Sequence, residues 1–135
     1  MLKVGIRPKE NSAPRCSTLT SDVASYFLEG CLIGDMIVEL TVENLAIIEK
    51  AQLSLGPRFT VLTGETGAGK SLLVDALELA LGERADVELV RSGSPRASVS
   101  VVLDLSGNKE LRKKCAAEGI ALEDSSLFIQ REVFA

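Results

Sequence analysis

One short run of residues combines the residue types that bind a triphosphate: Gly64-Glu65-Thr66-Gly67-Ala68-Gly69-Lys70-Ser71. It matches the pattern G-x-x-x-x-G-K-[ST] of a phosphate-binding loop. Its three glycines, and the small Ala68, let consecutive backbone N–H groups point at phosphate oxygens that a larger side chain would block. We expect Lys70 to contact the β and γ phosphates and the Ser71 hydroxyl to ligate Mg²⁺. The run therefore predicts a site for a nucleoside triphosphate with Mg²⁺.

Glu65 and Thr66 are expected to shape this loop more than to bind the ligand. Hydrolysis would also need an acidic residue that holds Mg²⁺ and a residue that orients the attacking water. After the loop, Asp104 comes nearest to such an acid, because it follows Val101-Val102-Leu103. Its strand alternates between apolar and polar residues, so we interpret Asp104 as a surface residue. The sequence predicts binding, and it predicts no certain catalytic residue beyond the phosphate contact of Lys70.

The elements that position this loop can be read from hydrophobic periodicity. Val38, Leu40 and Val42 alternate with polar residues, and Ala51, Leu53 and Leu55 repeat the pattern, so two half-buried strands precede the loop. Residues 59–63 are nearly continuous in apolar or β-branched residues, which predicts a central strand covered on both faces. Residues 71–81 predict a helix buried over most of its surface, ended by Gly82 in a left-handed conformation.

Three further elements follow the helix. Val99, Val101, Leu103 and Leu105 alternate as a strand, a short amphipathic helix would turn Leu111, Cys115 and Ile120 inward, and residues 127–134 form a last strand. Because that strand stays apolar to its end, we expect more sequence to follow it. Residues 1–35, rich in Ser, Thr and Pro, are interpreted as a leader that is disordered or that results from a mis-assigned start, and residues 36–135 as the folded domain.

Composition excludes several classes of function. The chain has 135 residues, a net charge of −4 and no histidine, so catalysis by a Ser/His or Cys/His pair is ruled out. Its three cysteines are widely spaced, which fits a reducing compartment and predicts a cytoplasmic protein. No apolar run approaches the roughly 20 residues that span a bilayer, so no membrane is expected as a partner.

Beyond the phosphate loop, a wider set of residues resembles the amino-terminal part of RecN, a family of bacterial DNA repair ATPases related to SMC proteins. The resemblance rests on residues 36–40 and 43–48, on the loop with the strand before it, and on Leu81-Gly82-Glu83-Arg84-Ala85-Asp86 with Leu89-Val90-Arg91. It covers residues 36–135.

This resemblance implies an α/β fold: a P-loop NTPase, specifically the amino-terminal lobe of an ABC/SMC-type ATPase head, with a mixed sheet around a buried phosphate-loop helix. It implies ATP and Mg²⁺ as cofactors and a role in DNA double-strand break repair and recombination. Its partners would be DNA, a second ATPase head in a homodimer, and a carboxy-terminal half that supplies the signature and Walker B segments. The chain would then be part of an ATPase and would not hydrolyse ATP by itself.

The resemblance also suggests roles for individual residues. Arg84 and Arg91 lie where related heads present an arginine to DNA or to the partner head, although surface or salt-bridge roles compete. Asn44 would lie near the nucleotide or form a turn. Gln130 is rejected as the family's Q-loop glutamine because its surroundings read as a strand. We interpret residues 112–114, Arg-Lys-Lys, as a solvated helix face.

Two alternatives stay open. The first is another P-loop enzyme, a kinase or GTPase; Asn108-Lys109-Glu110-Leu111 fails the usual guanine pattern, since Leu111 stands in place of an aspartate. The second is a non-catalytic interaction module or remnant whose loop is inherited.

Overall fold

The computed structural model describes residues 2–5, 16–18, 37–56, 60–61, 63, 69–120 and 122–135. Within them the strands are β1 (Leu2–Gly5), β2 (Cys16–Thr18), β3 (Ile37–Leu45), β4 (Ile48–Ser54), β5 (Arg96–Asp104) and β6 (Ser126–Phe134). The helices are α1 (Lys70–Ala80) and α2 (Lys109–Ala117), with a short 3₁₀ helix at Val87–Leu89. The two strands before the loop, both helices and the last two strands follow the periodicity of the sequence.

The strands form one sheet in the order β2-β1-β6-β5-β3-β4. All pairings between the described strands are antiparallel. Parallel pairing, which the predicted mixed sheet would contain, is therefore not found among these residues. The central strand β5 pairs with β3 on one side and with β6 on the other. Its pairing with β6 extends along the whole length of β5.

The core lies on one face of this sheet. Leu40 of β3, Val101 of β5 and Ile129 of β6 are cross-strand neighbours, and all three are buried. Both helices pack on this face, each through a few apolar residues; these are Ala76, Leu79 and Ala80 from α1 and Leu111 and Cys115 from α2. Burial of this apolar surface is the main stabilising contribution to the fold.

The prediction for Val38 is wrong, because its side chain is 39% exposed while Ile37 is buried. The register between β3 and β5 shifts between Ile37 and Glu39, so a β-bulge places one extra residue in β3. Beyond the bulge, Leu40 and Val42 face the core as the alternation predicts.

Glycine ends both helices. After α1, Gly82 has a φ of 114°, its N–H donates to the Leu79 carbonyl at 3.3 Å, and the Glu83 N–H donates to the Glu78 carbonyl at 3.0 Å. Gly119 ends α2 in the same way with a φ of 73°. These are Schellman motifs, which favour glycine because a left-handed residue carries no Cβ penalty there. The left-handed conformation predicted for Gly82 is confirmed.

The leader contributes two short strands to the sheet. β1 pairs with β6, with Leu2 opposite Arg131 and Gly5 opposite Phe128, and β2 pairs with β1. At these two segments the leader is therefore not unstructured, which its composition alone did not predict. The remaining residues of 1–35, other than these strands, lie outside the described part of the chain.

Candidate nucleotide-binding site

Gly69 joins the predicted phosphate loop to α1. It is the N-cap residue of the helix and has a φ of 91°, in the left-handed region that favours glycine. Among the described residues no side chain caps the helix there, and its first turn holds no acidic residue. The backbone N–H groups of a first helical turn have no partner within the helix and carry a partial positive charge. This end of α1 therefore offers donors suited to an anion such as a phosphate.

Lys70 and Ser71 are the first two residues of α1. The Lys70 side chain is half-buried, and Ser71 is exposed. The chemistry of this donor set fits a phosphate with a hard cation: an ammonium group for the anion and a hydroxyl for Mg²⁺. If ATP bound here, Lys70 would contact its phosphates and Ser71 would ligate the Mg²⁺ that accompanies them.

The remaining loop residues, Gly64, Glu65, Thr66, Gly67 and Ala68, lie outside the described residues. Their predicted contacts with phosphate stay predictions.

The segment before the loop differs from expectation. Residues 59–63 were predicted to form a buried strand, but Thr60, Val61 and Thr63 belong to no strand, and Val61 is 61% exposed. A strand buried on both faces needs neighbouring strands and two covering layers. No pairing is resolved between Thr60, Val61 or Thr63 and any of the described strands.

The prediction that α1 is buried over most of its surface is also wrong. Ala76, Leu79 and Ala80 are buried against the sheet, whereas Val74 on another side of the helix is 55% exposed. The physical reason is that the described sheet covers only one side of the helix. Apolar residues on the uncovered side are what a helix between two layers would carry.

Arg91 has a structural role that sequence reasoning left open. Its guanidinium Nη1 donates to the carbonyl oxygen of Ile47 at 2.8 Å, and Nη2 lies 3.9 Å from the carboxylate of Glu49. Its own N–H donates to the carbonyl of Asn44 at 2.9 Å. Asn44 has a φ of 54° near the end of β3, beside the turn that leads to β4, and its expected proximity to the nucleotide stays a prediction. Arg84, by contrast, is exposed.

Three other residues that the sequence brought forward have structural roles. Asp104 is exposed, and its Oδ1 accepts a hydrogen bond from the Ser106 N–H at 2.8 Å, which confirms it as a surface residue at the end of β5. Gln130 lies within β6, as its rejection required, and its Nε2 donates to the Ser98 hydroxyl at 3.0 Å. Asn108 caps α2 by accepting from the Leu111 N–H at 2.9 Å.

Two pKa shifts follow from these surroundings. The hydrogen bonds that the Asp104 carboxylate accepts from Ser106 hold its pKa below the usual 3.8. Burial raises the pKa of the Cys115 thiol above its usual 9.0, so this cysteine is an apolar core residue and not a nucleophile.

Sequence reasoning missed one buried charge. The Glu132 side chain is 5% exposed, and its Oε1 accepts from Arg96 Nη1 at 2.9 Å. The two residues are 36 positions apart, on β6 and β5, so only the strand register could have revealed the pair.

A family model described as AAA domain matches residues 39–124. These residues are more than half of the 135-residue chain, and the chain therefore belongs to the AAA domain family. Within that class it is similar to DNA repair protein RecN, as the resemblance implied. RecN of Halalkalibacterium halodurans is 42% identical over 98 residues, which are 73% of this chain and 17% of that protein. RecN of Bacillus subtilis is 39% identical over the same share of each chain.

RecN of Deinococcus radiodurans is 49% identical over 67 residues, which are 50% of this chain and 12% of that protein. The chain thus spans less than a fifth of the length of these relatives. A solved structure from work on the structural biochemistry of ATP-driven dimerization and DNA stimulated activation of SMC ATPases has a similar fold. Its TM-score is 0.57 at 20% identity, over 73% of this chain and 63% of that chain. This similarity confirms the predicted fold class.

Neither helix in the described residues has the length and apolar character needed to cross a membrane.

Proposed function

We propose that the chain binds ATP with Mg²⁺ as the amino-terminal half of a RecN-like ATPase that acts in DNA double-strand break repair and recombination. One observation carries this proposal: α1 begins at Lys70, within the sequence that matches the phosphate-loop pattern, directly after a left-handed Gly69, and no side chain of the described residues caps its N-terminus. The similarity to RecN supports the same assignment.

In this proposal the first-turn N–H groups and Lys70 bind the β and γ phosphates, and Ser71 ligates Mg²⁺. Binding needs only the loop and the helix end, which are local in sequence. Hydrolysis needs an acidic residue near Mg²⁺ and an oriented water, and Asp104 is engaged with Ser106 at the end of β5. We therefore propose that the chain binds ATP without hydrolysing it, and that the full ATPase acts in the cytoplasm.

The missing activity would come from partners. The uncovered side of α1, with Val74 exposed, and the exposed Val61 support a second layer packing there. We assign that layer to a carboxy-terminal half carrying the Walker B and signature segments. A second head in a homodimer would then enclose the ATP, and DNA would be the macromolecular partner of the assembly.

Two other functions receive less support. A P-loop kinase or GTPase would need its own recognition motif, and the Asn108 side chain caps α2 where a guanine-binding asparagine would have to reach the base. A non-catalytic remnant would keep the same helix end but would show no Mg²⁺-dependent affinity for ATP.

The experiment is the Mg²⁺-dependent affinity of the 135-residue chain for ATP, measured beside Lys70→Ala and Lys113→Ala. Lys113→Ala is the matched control, because it removes the same charge from an exposed position on α2. The proposal expects saturable binding that Lys70→Ala abolishes and Lys113→Ala preserves, without ATP turnover. A folded chain that binds no ATP, or that binds equally well without Lys70, would overturn it.

A further inference from the structure

The sheet has a second face, opposite to the one on which the core lies. Successive side chains of a strand point to opposite faces, so the residues between the core residues point to this second face. Val102 of β5 lies on it, with Glu39 of β3 and Phe128 of β6 as its cross-strand neighbours. Both described helices pack on the core face, so neither of them covers these side chains.

Val102 is nevertheless only 4% exposed. Among the buried apolar residues in the described part of the chain, it alone lies outside the cluster that forms the core. Cross-strand neighbours shield the flanks of a side chain, but the uncovered face of an antiparallel sheet leaves its tip in contact with water. Phe128 is half-buried, and Glu132, further along the same face of β6, is buried as well. This burial requires a layer that covers the second face.

The connection from β2 to β3 has to pass over one face of the sheet. All pairings in the order β2-β1-β6-β5-β3-β4 are antiparallel, so β2 and β3 are four positions apart and run in the same direction. Strands that run in the same direction are joined by a crossover. Residues 19–36, between Thr18 and Ile37, form it. Four strand spacings are about 19 Å, far less than the roughly 60 Å that this segment spans when fully extended.

This crossover contains the apolar side chains that a covering layer needs. Tyr26-Phe27-Leu28 and Cys31-Leu32-Ile33 are two apolar triplets, separated by a glutamate and a glycine. The second triplet ends shortly before Ile37, which pairs with Leu103, the residue next to Val102 in β5. The chain therefore brings apolar residues to the end of the sheet at which Val102 is buried.

We propose that residues 19–36 cross the second face and pack their apolar triplets on Val102 and Phe128. Two other stretches are worse placed to do so. Residues 6–15 join the adjacent strands β1 and β2, and residues 57–68 lead to α1 on the core face. The segment before the RecN-like part of the chain is then a layer of the fold and not a disordered leader. The ATP site proposed above lies on the other side of the sheet and is not involved.

The experiment measures how strongly acrylamide quenches tyrosine fluorescence in the 135-residue chain. Tyr26 is the only tyrosine and the chain has no tryptophan, so the signal reports residue 26 alone. Val102→Ser removes the apolar contact from the second face. Val74→Ser is the matched control, because it makes the same change at an exposed position on α1. Thermal unfolding checks that both variants fold.

We expect the folded chain to be quenched several-fold less than the chain unfolded in urea, because a docked Tyr26 is shielded from acrylamide. Val102→Ser should raise the quenching towards the unfolded value, whereas Val74→Ser should leave it unchanged. Equal quenching of the folded and unfolded chains, no effect of Val102→Ser, or equal effects of the two substitutions would each overturn the inference.

A second measurement needs no substitution, and it decides the case in which Val102→Ser does not fold. Nuclear Overhauser effects from the Val102 methyl groups should reach side chains between Tyr26 and Ile33. Contacts of these side chains with α1 or α2 instead would place the crossover on the core face and contradict the proposal. Protection of Tyr26 that disappears on dilution would assign the layer to a second copy of the chain and would also contradict it. ATP binding compared with Lys70→Ala tests the proposed function separately.

Discussion

Arg91 and Ile47, 44 positions apart in sequence, are joined by a hydrogen bond of 2.8 Å from the guanidinium to the backbone carbonyl. The N–H of Ala46 adds a bond of 2.7 Å to the Leu89 carbonyl. The segment after α1 is thereby fixed to the end of β3 and to the turn that follows it, where Asn44 of β3 and Ala46 of the turn both have positive φ. A turn with two such residues is strained, so neighbouring bonds are needed to hold it.

Replacing Arg91 with alanine should therefore lower the free energy of unfolding by about 1 kcal/mol, the usual contribution of a partly exposed hydrogen bond. The measurement is urea denaturation. Glu49→Gln is the control: its carboxylate is exposed and 3.9 Å from the guanidinium, so we expect a change below about 0.5 kcal/mol. Equal effects of the two substitutions would mean that the ion pair, and not the carbonyl bond, holds the turn.

The pair of Arg96 and Glu132 gives a second prediction. Arg96→Met should destabilise the chain by about 2 kcal/mol, because the Glu132 carboxylate stays buried after it loses this partner. Adding Glu132→Gln to Arg96→Met should restore part of that loss by removing the buried charge. Urea denaturation of both single variants and the double variant gives the coupling, and strictly additive effects would argue against an interaction between the two side chains.

The two sides of α1 should respond differently to truncation. Leu79→Ala removes a side chain that is almost fully buried against the sheet and should cost about 3 kcal/mol. Val74→Ala, on the uncovered side, should lower the free energy of unfolding by less than about 0.5 kcal/mol, because little apolar contact is lost there. The higher helix propensity of alanine acts in the opposite direction. Thermal unfolding compares them. Similar losses for both would show that α1 is covered on both sides in this chain, contrary to the structure.

Much of this architecture is visible in the sequence because the relevant signals are local. Alternation located β3, β5 and β6, and a glycine marked the end of α1, since each depends on residues close together in the chain. The misplaced Val38 shows the limit of this reasoning: a bulge depends on how β3 aligns with β5, and an alternating pattern contains no information about that register.

The candidate site divides in the same way. The phosphate-loop pattern singles out Lys70 and Ser71 from spacing alone. The structure adds that these two residues form the N-terminus of α1. The carbonyl contact of Arg91 could not be predicted, because it joins segments that meet only in the folded chain. The exposure of α1 could not be predicted either, since the sequence of an apolar helix does not show which of its sides the rest of the chain covers.

Acid should weaken the turn at the end of β5. Because the pKa of Asp104 is lowered below 3.8 in the folded chain, its charged form stabilises the fold above that pH. This contribution is lost as pH falls through the folded pKa. Asp104→Asn keeps an oxygen that can accept from Ser106 but has no charge. In urea denaturation the chain with aspartate should therefore have a higher free energy of unfolding than Asp104→Asn at pH 6, and this difference should shrink below about pH 4. A difference that does not change with pH would show that the charge of Asp104 does not stabilise the turn.

The central claim, that the end of α1 binds the phosphates of ATP, is tested most directly by amide signals in nuclear magnetic resonance during titration with ATP and Mg²⁺. The account predicts saturable shifts at Gly69, Lys70 and Ser71, with β4 unchanged and no shifts in Lys70→Ala. Saturable binding that shifts other residues and leaves these three unmoved would contradict it.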